Sequence, residues 1–194
     1  MKISTTGINL IKEFEDIRLS VYADSNGYPT VGWGHLLTDK RKYTPDTQLS
    51  NEDSKYELKK AGLSNSSSIT KDQADKLLKS DISTVEVFVN DKNKEHYNKM
   101  NQNQFDALSS LTFNIPKALK SDDVKKLLDC SMTYSDYGAP MSNAQLKEMA
   151  EKVTKAFTWT IAGGKRSKGL VKRRNKEMDL FCKGLKYSYN KISY

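Results

Sequence analysis

Apolar residues recur at helical spacing along most of the chain. Ile8, Leu10, Ile11 and Phe14 give one apolar face to a helix expected over about residues 6–15, with Thr5 or Thr6 as its N-cap. The period then changes. The segment SVYADSNGYPTVGWGHLL is rich in β-branched and aromatic residues, and Asn26-Gly27 is a hairpin-turn signal. It predicts a small β-ribbon over roughly residues 18–36, with Pro29 and the nearby glycines marking edges and close backbone approach. Residues 39–68 are polar and turn-rich, with a short helix expected at 51–61.

Helical spacing returns at Ile69. Thr70 and Gln73 form a capping box ahead of Ala74, Leu77, Leu78 and Ile82. Asn101 and Gln104 cap a second helix that carries Phe105, Ala107, Leu108 and Leu111, and Ser121 starts a third with Val124, Leu127 and Leu128. Residues 130–142 read as a loop, and a further helix is expected over about 143–158. Gly163-Gly164 breaks it, a basic helix follows over 168–183, and the tyrosine-rich tail 185–194 is expected to be loose at its end. A ribbon beside helices is α+β rather than βαβ. The expected layout is one domain: a small N-terminal lobe over about 1–68, a larger, mostly helical lobe over about 69–184, and a cleft between them.

Composition narrows this picture. The chain has 194 residues, of which 37% are hydrophobic and 29% charged; this is polar, but it is not a disordered composition. No apolar run approaches the roughly 20 residues of a membrane span. The first residues carry one lysine and no apolar core of signal-peptide length, so neither a signal nor an anchor is expected, and synthesis in the cytoplasm is. Cys130 and Cys182 make no disulfide framework and are expected to be reduced. With no CxxC and two histidines, neither a metal site nor a cofactor is expected.

The net charge is +8, and its distribution is lopsided. Residues 150–194 hold 12 Lys/Arg against 3 Asp/Glu, whereas residues 1–149 hold 20 against 21. Such a surface attracts polyanions. Lysines outnumber arginines 27 to 5, and lysine is the poorer choice for bidentate phosphate recognition, so a specific nucleic-acid partner is not expected.

Three polar residues meet where the first helix joins the ribbon: Glu15 at the helix end, Asp24 at the hairpin approach and Thr30 on the return strand. A carboxylic acid beside apolar neighbours can donate a proton while a second, solvated carboxylate stays charged, which is what glycosidic-bond hydrolysis requires. A neighbouring hydroxyl can help to hold the attacking water. Taken alone the spacing decides nothing, because Glu at a helix end and Asp before Asn-Gly are both common for local reasons.

The surroundings are more specific. Glu15-Asp16-Ile17-Arg18-Leu19, Tyr22-x-Asp24 and Gly27 through His35 resemble the signature of the phage-type lysozymes, the endolysin family of T-even and lambdoid phages in glycoside hydrolase family 24. The resemblance continues in Ile69 through Ile82, in Asn103 through Asn114, and in Gly163-Gly164-Lys165 with Gly169 through Glu177. One position departs from it: Asp16 stands where the family has glycine, which places a further negative charge beside Glu15.

The resemblance implies a lysozyme-like fold across the whole chain and a muramidase that cleaves bacterial peptidoglycan. It implies Glu15 as general acid, Asp24 as catalytic carboxylate and Thr30 as the residue completing the site. For the T-even type it implies inversion, with Asp24 and Thr30 holding the water. Leu36, Phe113 and Arg173 match positions that line the substrate cleft, Arg173 beside the catalytic glutamate. It further implies a monomer that reaches the wall through a holin-like pore, by lysis or by secretion. Two other uses of the scaffold remain open: an antibacterial effector neutralised by an immunity or inhibitor protein, and a non-catalytic module that binds wall or nucleic acid.

Other residues have plainer readings. His35 is expected to pair with a carboxylate and His96 to be solvated. Asp106 is expected to be a structural hydrogen bonder. Trp33, Trp159 and Tyr22 are either core aromatics or sugar platforms. Arg173 and Arg174 either solvate a basic helix or, for Arg173, tune Glu15.

Overall fold

The computed structural model describes residues 1–40, 42–96, 99–135, 141–185 and 189–194, with side chains of 131–135 left out. The chain divides into two compact units, Glu15–Ser83 and Met1–Phe14 with Thr84–Tyr194. The first helix therefore groups with the helical unit, and residues 69–83 group with the ribbon.

In the unit Glu15–Ser83, strands β1 (Arg18–Ala23), β2 (Pro29–Gly32) and β3 (His35–Leu36) form an antiparallel sheet in that order. Tyr22 pairs with Thr30, Ala23 with Pro29 and Arg18 with Gly32, and an irregularity between Arg18 and Tyr22 bends β1. On the other edge of β2, Thr30 pairs with Leu36 and Val31 with His35. Val21, Ala23 and Val31 are buried in a core with Leu49, Leu58, Ile69 and Ala74. Helix α2 (Asn51–Lys60) is capped by Ser50, whose side chain accepts from Asp53 N. Helix α3 (Lys71–Glu95) begins at the expected capping box: Thr70 N donates to Gln73 Oε1 at 2.8 Å and Gln73 N to Thr70 Oγ1 at 3.2 Å. It runs well past Ile82, and residues 84–95 belong to the other unit.

The helical unit is built around α4 (Gln102–Asn114), in which every residue from Gln104 to Thr112 is buried. Three of its buried polar side chains, Gln104, Asp106 and Ser110, have partners, whereas the hydroxyls of Ser109 and Thr112 have none among the described residues. Gln104 belongs to the capping box with Asn101, and Ser110 Oγ donates to Glu177 Oε1 at 2.7 Å. Asp106 accepts from Ser4 N at 2.9 Å, from Gln102 Nε2 at 2.8 Å and from the Ser4 hydroxyl, the structural role expected of it. Against α4 pack α1 (Thr5–Phe14) and α7 (Lys168–Cys182). A 3₁₀ turn (Pro116–Lys120), α5 (Asp122–Ser135) and α6 (Asn143–Ala156) complete the helices of this unit.

Several local expectations are corrected. The N-cap of α1 is Ser4 rather than Thr5 or Thr6: Ser4 Oγ accepts from Thr6 N at 3.1 Å and Gly7 N at 3.4 Å. Residues 130–135 continue α5 instead of starting a loop, and 136–140 lie outside the described residues. Gly163-Gly164 does not end a helix: α6 already stops at Ala156, and the two glycines turn a two-stranded ribbon of β4 (Ile161–Ala162) and β5 (Lys165–Arg166). The end of the tail is docked rather than loose. Ile192 is buried, and Asn175 brackets it by donating to Ile192 O at 3.0 Å and accepting from Ile192 N at 2.9 Å.

No helix among the described residues is long and apolar enough to cross a membrane. Among the same residues, no group of three or more His, Cys, Asp or Glu stands where it would hold a metal ion.

Candidate active site

Asp24 follows the last residue of β1, and its carboxylate organises the hairpin turn. Oδ1 accepts from Asn26 N and Tyr28 N, both at 2.8 Å, while Asp24 N donates to Tyr28 O at 3.0 Å. Two amides thus fix one carboxylate oxygen, and no described hydrogen bond uses the other. Gly27 makes the turn possible. Its φ is +85°, and a Cβ there would fall 2.5 Å from Tyr43 O. Tyr43 N in turn donates to Gly27 O at 2.7 Å.

The register then collects the other groups. Residues directly opposite in an antiparallel pair show their side chains on one face. Thr30, in the central strand, faces Tyr22 on one side and Leu36 on the other, so these three share a face with Asp24, two residues beyond Tyr22. Thr30 is buried, and its hydroxyl donates to Tyr28 O at 3.1 Å, which leaves its oxygen as an acceptor. Leu36 is 45% exposed.

Glu15 comes in from the end of α1 and is half-buried. Its Oε2 stands 3.6 Å from the place a Cβ on Gly34 would take, so the carboxylate rests on the backbone of the β2–β3 turn. That turn is tied down on both sides by α3. Trp33 Nε1 donates to Asp75 Oδ1 at 2.7 Å, and His35 Nδ1 lies 3.0 and 2.9 Å from the two oxygens of Asp81. His35 is thus paired with a carboxylate, as expected.

Tyr22 links the two halves of the site. Burial raises its phenol pKa; the Arg18 guanidinium, 4.4 Å from the ring centroid, opposes this, and the charges of Glu15, Asp24 and Asp16 add to it. One phenol therefore lies in the fields of both Glu15 and Asp24 as well as that of Asp16. A half-buried carboxyl, a second carboxylate with one oxygen fixed, and a hydroxyl acceptor beside it are the parts needed for acid-assisted attack of water on an acetal.

A model of the phage lysozyme family matches residues 12–177. The chain belongs to the phage lysozyme family. The endolysin of Lactococcus phage c2 is 31% identical to this family member over 197 aligned residues, 98% of the chain and 64% of that protein. The endolysin of Bacillus phage B103 is 32% identical over 187, 95% of the chain and 55% of that protein. The chain thus spans less than two thirds of either relative. Among solved structures, the endolysin from Escherichia coli O157:H7 phage FAHEc1 superposes with a TM-score of 0.60 at 26% identity, covering 96% of each chain. The fold is accordingly the α+β lysozyme fold.

In this member of the family, two residues expected to line the substrate site belong to the helical unit. Phe113 is partly buried against its core. Arg173 is buried; its Nε donates to Glu177 Oε1 at 3.2 Å and its Nη2 to Ser110 O at 3.3 Å. Arg174 is fully buried; Nη2 donates to Asn114 Oδ1 at 2.8 Å, and Nε lies 3.2 Å from Glu177 Oε2. Neither arginine solvates a basic helix, because both are drawn inward by Glu177. Burial pushes the Glu177 carboxyl up, against the pull of Arg174 and Arg173. His96 also departs from expectation: it is buried, with Nδ1 3.0 Å from Asp129 Oδ1. The carboxylates Asp75 and Asp81 escaped sequence reading as supports of the site; six residues apart on α3, they fall on no common helical repeat, and their partners Trp33 and His35 lie 42 and 46 residues away.

Proposed function

We propose that this chain is a peptidoglycan hydrolase, a muramidase cleaving the β-1,4 bond between N-acetylmuramic acid and N-acetylglucosamine. The observation that carries this reading is the placement of Glu15, Asp24 and Thr30 around Tyr22. Glu15 protonates the departing glycosidic oxygen. A water gives one hydrogen bond to the uncommitted oxygen of Asp24 and the other to Thr30 Oγ1, so that its lone pair faces the anomeric carbon. Asp24 takes the proton as the new bond forms. This is the inverting course, in which the water attacks from the side opposite the acid. Leu36, Phe113 and Arg173 are assigned to substrate binding, and the enzyme acts as a monomer on the wall after release through a holin-like pore or lysis. Family membership and the likeness to phage endolysins support the reading.

The test is clearing of purified peptidoglycan by the native chain beside Glu15→Gln, with mass analysis of the fragments. The reading expects clearing to be lost in the variant and native fragments to end in reducing N-acetylmuramic acid. Anhydro-muramic ends would make the protein a lytic transglycosylase and remove the water-holding role from Asp24 and Thr30.

A further inference from the structure

The positive charge of the C-terminal quarter is concentrated in one place. Between Glu151 and Glu177 the sequence has nine lysines and arginines and no acid. Four of these cations are spoken for: Arg173 and Arg174 are buried with Glu177, Lys152 pairs with Glu148 at 3.2 Å, and Lys176 pairs with Glu13. Of the rest, Lys165, Arg166, Lys168 and Lys172 follow one another along β5 and the first turns of α7. All four are exposed, and none of the described ion pairs involves them.

The ribbon that carries them does nothing visible for the fold. All six residues from 161 to 166 are exposed, Ile161 to 68%. Ile161 stands opposite Arg166 and Ala162 opposite Lys165. Nothing lies within 4 Å of where side chains on Gly163 and Gly164 would begin, so the tip is open. The ribbon is anchored at its base, where Ser167 N donates to Thr160 O at 2.8 Å and Thr160 is buried. A bare two-stranded hairpin is marginal in water. Adjacent cations repel one another, and Lys168 sits at the positive end of α7, where an acid would be favoured. Local sequence that costs stability and buries nothing marks a surface kept for another purpose.

We propose that the 161–166 hairpin, with Lys168 and Lys172, is a docking surface for a linear phosphodiester polymer of polyols, such as a bacterial wall carries beside its glycan. Charge complementarity selects a polyanion. Lysine predominates over arginine, and mobile point charges on flexible stems suit a flexible row of phosphates better than a rigid bidentate target. The nearby rings argue against a nucleic acid. Trp159 has Lys117 5.5 Å from its ring centroid and Tyr194 has Lys168 at 4.9 Å, so each has a face occupied by a lysine instead of open for base stacking. The ribbon's lone large aliphatic, Ile161, is too little apolar surface for seating in a bilayer interface.

Docking needs no hydrolysis, so its failure is distinguishable from failure of the muramidase reading. The full chain with Glu15→Gln is titrated with a fluorescent glycerol-phosphate oligomer at several salt concentrations. The comparison is the same chain with Lys165→Gln, Arg166→Gln and Lys168→Gln, against a control of equal charge change with Lys55→Gln, Lys59→Gln and Lys79→Gln in the other unit. These residues are exposed, and melting curves verify that both variants are folded. The hairpin variant is expected to bind about tenfold more weakly or worse, with the slope of log affinity against log salt shallower by about two, while the control stays within about twofold. Equal losses in the two variants would reduce the effect to net charge and overturn the proposal. So would tighter binding of single-stranded DNA with the same number of phosphates, or of phosphatidylglycerol vesicles.

Discussion

His35 Nδ1 meets both carboxylate oxygens of Asp81, at 3.0 and 2.9 Å, across 46 residues of sequence. Together with the Trp33–Asp75 hydrogen bond at 2.7 Å, this pair holds the turn on which Glu15 rests. Both side chains are partly exposed, so the pair contributes less than a buried one would. Asp81→Ala is expected to lower stability by about 1–2 kcal/mol in urea unfolding. It is also expected to lower activity, because the support of Glu15 loosens. A double-mutant cycle with His35→Ala reads the pair itself, and additive effects would contradict direct coupling.

Gly34 has φ +88°, and a Cβ there would stand 3.6 Å from Glu15 Oε2. Gly34→Ala therefore strains the backbone by about 1–2 kcal/mol and, as the turn shifts to relieve that strain, moves the support on which the proposed acid rests. A fall in kcat of at least about tenfold with a smaller change in KM is expected, since a small misplacement of a catalytic group is costly. Steady-state kinetics on soluble glycan fragments checks it.

Glu177 faces two guanidinium groups in the helical core. Glu177→Gln preserves the shape but leaves Arg173 and Arg174 without their counter-charge, which is expected to cost about 3–5 kcal/mol in denaturant unfolding. A loss below about 1 kcal/mol would mean that the arginines are compensated elsewhere.

Burial, aided by Asp179, pushes the Cys182 thiol up to about 12. Raised above its unfolded value, the thiol holds its proton more tightly in the folded state. The resulting stability is fully present below the ordinary thiol value near 9 and is lost as pH rises towards 12. Native protein at pH 8 is expected to react slowly with a thiol reagent at Cys182, and unfolded protein quickly. The alkaline fall in melting temperature should be shallower in Cys182→Ala.

Local chemistry was legible in the sequence, and long-range burial was not. The boxes at Thr70 and Gln73 and at Asn101 and Gln104 are closed by residues three apart, so their pattern is readable along the chain. The Asp24 to Thr30 hairpin is likewise set by Asn26-Gly27 and by the Asp24 carboxylate. By contrast, Arg174 looks like surface on a basic helix until Asn114, 60 residues away, and Glu177 draw it inward. Ile192 reads as a frayed end until Asn175 brackets its backbone. His96 sits in a polar stretch, and its carboxylate partner Asp129 lies 33 residues away, where no local pattern points to it. Glu15, Asp24 and Thr30 lie within one short segment, yet their spacing alone decides nothing; the resemblance of several separated motifs to the phage-type lysozymes is what singles them out. The supports Asp75 and Asp81 come from a helix whose facing partner no local pattern names.

The anomeric form of the first product tests the central claim most directly. Proton NMR during early turnover of a soluble β-1,4-linked muropeptide oligomer resolves the newly formed reducing end before it mutarotates. Water held by Asp24 and Thr30 opposite Glu15 predicts the α-anomer first, with the signal lost in both Glu15→Gln and Asp24→Asn. A β-anomer as first product, or a covalent glycosyl-enzyme, would contradict it and make Asp24 a nucleophile instead of the holder of a water.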